Sequence, residues 1–247
     1  LFAEHDGSLI SYLESAGLLG PRLNIVHSVW ITRAEADRMA AAGAGIVLNH
    51  LSNLKLKSGI APVCDLRDSG VRLGLGCDNC SGSDVQSVFQ AMKMFCLLAA
   101  VSEPEPGPGL AHEVLRHATL GNARTAGLDG TLGAIRPGYK ADMILIDLND
   151  VAYLPYNSAA RQLVYTEAGR GVESVIVDGR VVMKQRKVTT IDEDALRREV
   201  AALMRHFIVD YDAVVASRKR ALPYMLEAHR KVWQTDIGMN RLIPRTR

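Results

Sequence analysis

A repeating βα fold that carries a small β lobe and ends in helices is what this sequence predicts, on three observations. From Gly7 to Gly45 helix-like and strand-like stretches alternate, the rhythm of an α/β protein rather than of a sandwich or bundle. Beyond Gly130 the text changes to turns and short strands, with Asp178-Gly179 as a hairpin signal. From Asp192 to Trp233 it becomes helical and amphipathic, interrupted at Pro223.

The elements follow in order. Ser8 to Ala16 reads as the end of a helix, and Leu23 to His27 as a short β-branched strand after the turn Gly20-Pro21. Thr32 with Glu35 three residues on forms a capping box that opens a helix from Arg33 to Ala42, closed by Gly43. Ile46 to Leu48 is the next strand, Asn49 to Gly59 a polar loop, and Pro62 to Ser69 a helix stopped by Gly70. Val71 to Leu75 is the third strand, ending in the turn Gly76-Cys77-Asp78-Asn79 before a helix from Asp84 to Ala100. Pro104, Pro106 and Pro108 make Ser102 to Gly109 an extended loop, and a helix runs from about Ala111 to Ala126. In the lobe, Ala141 to Asp147 is a strand, and Val172 to Val177 pairs with Arg180 to Met183.

Composition excludes several classes. With 247 residues, 48% of them hydrophobic and 23% charged, the chain suits one large globular domain or one and a half. A balance of 29 basic against 27 acidic residues leaves +2, and no basic block exceeds Arg218-Lys219-Arg220, so no nucleic-acid partner is expected. No run reaches the roughly 18 apolar residues that cross a bilayer, and the first residues lack a signal-peptide order; no membrane partner and a cytoplasmic location are expected. Four cysteines, Cys64, Cys77, Cys80 and Cys96, are too few for a disulfide scaffold and read as reduced thiols. Leu1 stands where a Met would open a protein, so a fragment of something longer is expected.

Active sites of parallel βα folds collect at the carboxyl ends of strands, and two residues meet that condition: His27 after the first strand and Asp78 after the third. An imidazole and a carboxylate converging on one mouth can bind a divalent metal or relay a proton. His50 could face the same mouth or bond the loop backbone, and Ser52 and Asn53 read first as turn-forming residues and second as substrate contacts. His112, His117, His206 and His229 fall on helices and read as packing or surface residues. Cys77 and Cys80 have C-x-x-C spacing without a second pair, which argues against a zinc or redox site. The glycines around Gly74 and Gly76 lack the G-K-[ST] of a phosphate loop, and Met92, Met94 and Phe95 read as core.

The ordered set of His27, Asn49-His50-Leu51-Ser52-Asn53 with Leu56 to Gly59, and Leu75-Gly76-Cys77-Asp78 resembles the amidohydrolase superfamily. The nearest branch holds cytosine deaminase, the adenosylhomocysteine and guanine deaminases and the triazine hydrolases. Ala118-Thr119, the run from Gly133 to Leu145 and Val175-Ile176-Val177-Asp178-Gly179 extend the resemblance over nearly the whole chain. It implies the last three βα units of a metal-dependent (β/α)8 TIM barrel, a small β-sandwich lobe and a helical carboxyl-terminal tail. On that mapping residues 1–127 are the carboxyl-terminal part of the barrel, 128–190 the lobe, and 191–247 a tail that packs on the barrel or on a partner. The resemblance implies His27 and Asp78 as catalytic residues and metal ligands, and Asn53, Asn79 and Ser81 as substrate contacts. It implies one divalent metal, zinc or iron, per complete active site, a small heterocyclic substrate and a homo-oligomer.

Two departures stand beside it. The H-x-H pair, a further histidine and a glutamate that supply the other ligands have no counterpart, and His5 stands where the helix after the fifth strand would be. Cys77-Asp78-Asn79 also replaces the Thr-Asp-Gly of many relatives, with Asn after the Asp as in the triazine hydrolases. Two readings follow: part of a metal-dependent deaminase or dechlorinase, or a non-catalytic remnant stabilised by a partner.

Overall fold

The computed structural model describes residue 5, residues 7–103 and residues 109–242. The expected loop at Pro104, Pro106 and Pro108, like the first four residues, lies outside the described residues.

Three strands, β1 (Asn24–Val26), β2 (Gly45–Leu48) and β3 (Arg72–Leu75), form a parallel sheet in the order β1-β2-β3. Their register pairs Ile25 with Ile46 and Ile46 with Leu73, which brings the three carboxyl ends level. Helix α1 (Leu9–Ser15) precedes the sheet, and Ser8 caps it by accepting the Ser11 N–H. Helix α2 (Arg33–Ala41) links β1 to β2, and the Thr32–Glu35 capping box is present. Between β2 and β3 lie α3 (His50–Lys55) and α4 (Val63–Ser69), the latter ended by Gly70 at φ 72°. The segment from Asn49, expected as a loop, is thus helical in its first half: it is polar because it faces the strand ends, not because it is a connector. After β3 come α5 (Cys80–Ser83) and α6 (Val88–Ser102), so the single expected helix from Asp84 starts later, at a Ser87 cap.

The core lies between the sheet and these helices. Ile46, Leu48, Leu66, Met39 and Phe95 are fully buried there, each burial contributing about 1.5–3 kcal/mol. Helix α7 (Leu110–Arg116) continues through a π-helical turn (His117–Gly121) into α8 (Asn122–Thr125). This helix lies against the outer edge of β3. A Cβ on Gly121 would stand 2.2 Å from the Leu73 carbonyl oxygen, and one on Gly74 2.6 Å from Asn122 Oδ1, so both glycines are needed for the approach. Asn122 uses it: Oδ1 accepts the Leu75 N–H at 2.7 Å, and Nδ2 donates to the Leu75 carbonyl at 3.0 Å. One amide side chain thereby satisfies both outward-facing groups of a strand residue, as a neighbouring strand would.

Strand β4 (Met143–Ile146) pairs antiparallel with β5 (Val172–Val177), which continues through β6 (Arg180–Lys184) to β7 (Lys187–Val188). Among the described residues this lobe is one antiparallel sheet; the second layer of the expected sandwich is not among them, and Ile144, Leu145, Val177 and Val181 stay about half exposed. Sequence periodicity missed α9 (Ala159–Tyr165), which packs on α6 and α7. At its foot the buried Glu167 accepts from Tyr153 Oη at 2.6 Å and from the backbone of Ala168, Gly169 and Gly171. Burial, the largest influence, raises the Glu167 pKa, but these hydrogen bonds together outweigh it and hold the carboxyl below its ordinary value.

The tail forms α10 (Glu193–Arg218) and α11 (Leu222–Gln234), with Pro223 in the first turn of the second. Neither helix buries a residue. Beyond α11 the chain returns: the Ile60 N–H donates to the Arg241 carbonyl at 2.7 Å, and the Arg241 guanidinium to the Ile31 carbonyl at 2.9 Å. No helix of the described residues is long and apolar enough to cross a membrane.

Asn122→Ala should destabilise the fold by about 1–3 kcal/mol in urea unfolding, because two backbone groups of a buried strand residue lose their partner. Asn122→Asp should not restore it, since a carboxylate cannot donate to the Leu75 carbonyl. Unchanged midpoints in both variants would refute this role.

Candidate active site at the strand ends

The parallel register delivers His27 and Asp78 to the same end of the sheet, on either side of α3. Both leave their strands in the left-handed region, at φ 70° and φ 60°, a conformation that costs a non-glycine residue about 1–3 kcal/mol and concentrates at functional sites.

Two consecutive residues of α3 hold these side chains. Asn53 Oδ1 lies 2.8 Å from His27 Nδ1. A carbonyl oxygen can only accept, so Nδ1 donates, and in the neutral ring Nε2 carries the free lone pair. Ser52 Oγ donates to Asp78 Oδ2 at 2.5 Å, and the Asn79 N–H donates to Asp78 Oδ1 at 2.7 Å. The Ser52 hydroxyl first, then the Asn79 N–H, and more weakly the charge of His27, hold the Asp78 carboxyl below its ordinary value, so it is ionised at neutral pH.

The other expected contacts divide. Asn53 is buried and its Nδ2 bonds no protein group, so it keeps a donor in reserve. Asn79 and Ser81 are occupied locally: Asn79 Oδ1 caps α5 by accepting the Gly82 N–H at 2.8 Å and the Ser81 hydroxyl at 2.7 Å. Sequence reasoning missed Ser52 as the partner of Asp78. Reading Asn49 to Gly59 as a loop hid it; helical spacing from His50 would have placed Ser52 and Asn53 beside the strand ends.

The donor set fits two corners of a metal site. His27 has the second-sphere carbonyl partner typical of a ligating imidazole, and Asp78 is an ionised carboxylate. Among the described residues no group of three or more His, Cys, Asp or Glu gathers, so further ligands would have to come from elsewhere. Cys77 and Cys80 are free thiols, and burial raises the Cys77 pKa, which leaves that thiol protonated and a poor ligand.

With this geometry in view, the likeness to known proteins is direct. The sequence pattern of the amidohydrolase family matches residues 2–182. The 5'-deoxyadenosine deaminase of Methanobrevibacter smithii is 35% identical over 196 residues, which cover 79% of this chain and 45% of that protein. The 5-methylthioadenosine/S-adenosylhomocysteine deaminase of Desulforudis audaxviator is 35% identical over 206 residues, 83% of this chain and 48% of that one. An adenosine deaminase from Xanthomonas campestris, solved with bound zinc, superposes with TM-score 0.80 at 29% identity, covering 84% of this chain and 47% of that chain. The atrazine chlorohydrolase TrzN from Arthrobacter aurescens, complexed with zinc, shares the fold at TM-score 0.75 and 24% identity, covering 82% of this chain and 45% of that one. The chain spans about half the length of the curated relatives it matches.

His50, at the start of α3, departs from expectation. The residue is 2% exposed, its ring packs against Phe95 with centroids 6.0 Å apart, and neither nitrogen finds a protein partner, so the backbone bond, one of its two expected roles, is not made. Burial lowers its pKa from 6.5 to about 4. The folded-state value lies below the unfolded one, so the unfolded chain takes up the proton first, and stability falls as pH drops from 6.5 toward about 4. The loss over that window should be on the order of 3 kcal/mol. In His50→Leu, denaturant melts between those pH values should lose this slope; an unchanged slope would place the acid sensitivity elsewhere.

Proposed function

The chain belongs to the amidohydrolase family, and from that premise we propose that it forms part of a metal-dependent hydrolase that cleaves a C–N or C–Cl bond of a nitrogen heterocycle. The observation that carries this is the bracing of an ionised Asp78 and of a His27 ring oriented through Nδ1 by adjacent residues of one helix, at the carboxyl ends of parallel strands. The deaminase names of the relatives and the zinc of one solved neighbour support it. On this reading the three βα units are the last three of a (β/α)8 barrel within residues 1–127. Residues 128–190 contribute one layer of a small sandwich, and residues 191–247 form a tail.

Asp78 and His27 would hold one divalent cation, zinc or iron, with ligands from the rest of the protein, and the cation would supply Lewis acidity that makes a water nucleophilic at neutral pH. The chain's own residues perform the proton transfers. Asp78, kept ionised by Ser52, takes a proton from the water as its oxygen attacks the ring carbon, then delivers it to the departing nitrogen or chloride. The bond to the leaving group breaks, and ammonia, an amine or HCl departs. His27, oriented through Nδ1, presents Nε2 to the reacting centre. Asn53, through its unpaired Nδ2, contacts the heterocycle, with Asn79 and Ser81 shaping the wall beside it. Exposed Leu196, Val200, Leu203 and Phe207 on α10 support self-association into a homo-oligomer.

A second reading, a partner-stabilised remnant without catalysis, rests on the absence of a three-ligand cluster among the described residues. It predicts neither bound metal nor turnover, and stability that rises with protein concentration.

Asp78→Asn should lower turnover of a heterocyclic amine or chloride at least about a hundredfold, because it removes the proton carrier while preserving shape. Elemental analysis of the purified protein should find zinc or iron in the wild type. Full activity in Asp78→Asn would rule out the hydrolase mechanism; no metal and no turnover in the wild type would favour the remnant.

A further inference from the structure

The chain contains two tryptophans, Trp30 and Trp233, and although they come from opposite ends of the sequence both line one cavity of about 920 Å3. Leu56, Ser58, His229 and Ile237 contribute to the same walls. Trp30 lies in the loop after β1 and Ser58 in the loop after α3, the helix that bears Ser52 and Asn53, so the cavity is lined by segments that adjoin the elements holding His27 and Asp78. Its volume is in the range of small-ligand sites, about 300–1,000 Å3.

Both indoles are held but not covered. Trp30 Nε1 donates to the Ser58 carbonyl at 3.0 Å, which fixes the ring while leaving the residue 41% exposed. Trp233 packs against His229 with ring centroids 5.7 Å apart and is likewise 41% exposed. The returning segment after α11 is tied by Arg241 to Ile31 and Ile60, next to the Trp30 loop, which closes the cavity with tail residues. Fixed, half-exposed aromatic faces take planar partners by stacking, with little conformational entropy to lose. The tail lies beyond residue 182, where the family match ends, so this wall belongs to the chain rather than to the family pattern.

We propose that this cavity binds planar nitrogen-heteroaromatic rings on the faces of Trp30 and Trp233, and that Trp233 is a specificity-determining residue supplied by the tail. Its relevance to substrate rests on the hydrolase reading above; the binding itself does not.

The two tryptophans are also the reporters. Adenosine or melamine, titrated into the purified chain, should quench tryptophan emission saturably, and ribose should not. Trp233→Ala leaves Trp30 as reporter and should raise the dissociation constant about tenfold or more, while Trp233→Phe, which keeps a stacking face, should stay within about threefold of wild type. Trp233 is exposed, so these variants do not threaten the fold. Quenching by neither heterocycle, equal quenching by ribose, or an unchanged constant in Trp233→Ala would overturn the proposal. Asp78→Asn separates the two readings. Loss of turnover with quenching intact upholds both, full turnover with quenching intact overturns the hydrolase alone, and absent quenching with the turnover loss overturns the cavity alone.

Discussion

Ser52 and Asn53, neighbours on one short helix, each hold the side chain that ends a flanking strand, and the candidate chemistry depends on that pair of contacts. Successive helical residues point about 100° apart, so one turn of α3 reaches His27 on one side and Asp78 on the other. The parallel register makes this possible, since a shift of one residue would turn either strand end away. The left-handed backbone at His27 and Asp78 is strain that these hydrogen bonds offset.

The hydrogen bonds also set the tautomer of one group and the charge of the other. An acceptor oxygen fixes the His27 tautomer, and a hydroxyl with a backbone N–H keeps Asp78 ionised. The Asp78 charge is not buried, so it carries little desolvation cost. His50, one turn away, shows the contrasting case: burial without partners, and a ring held neutral well into the acid range.

Much of this was legible in the sequence for physical reasons. The Thr32–Glu35 capping box, the glycine stop at Gly70 and the β-branched runs are local signals, and the structure repeats them within a residue or two. Strand-end placement singled out His27 and Asp78. What was hidden depended on tertiary contact. The polar text from Asn49 looked like a connector because its apolar partners lie on other elements. Helix α9 is short and is stabilised by packing on α6 and α7 rather than by its own pattern. The amide of Asn122 carries no sequence mark that it stands in for a strand, and the meeting of Trp30 with Trp233 depends on a returning tail that no periodicity announces.

That stand-in gives the sheet a polarity. A three-stranded parallel sheet has two open margins, and here they are unequal. At β3 the outward groups of Leu75 are bonded to Asn122, and His117 leans on the Leu73 carbonyl, so this margin is covered by side chains. Beyond β1 no strand lies among the described residues, and Val26 is about half exposed there. Among the described residues, then, one margin is sheathed by side chains of its own chain and the other is left bare, so the two edges offer different surfaces to any backbone that pairs with them.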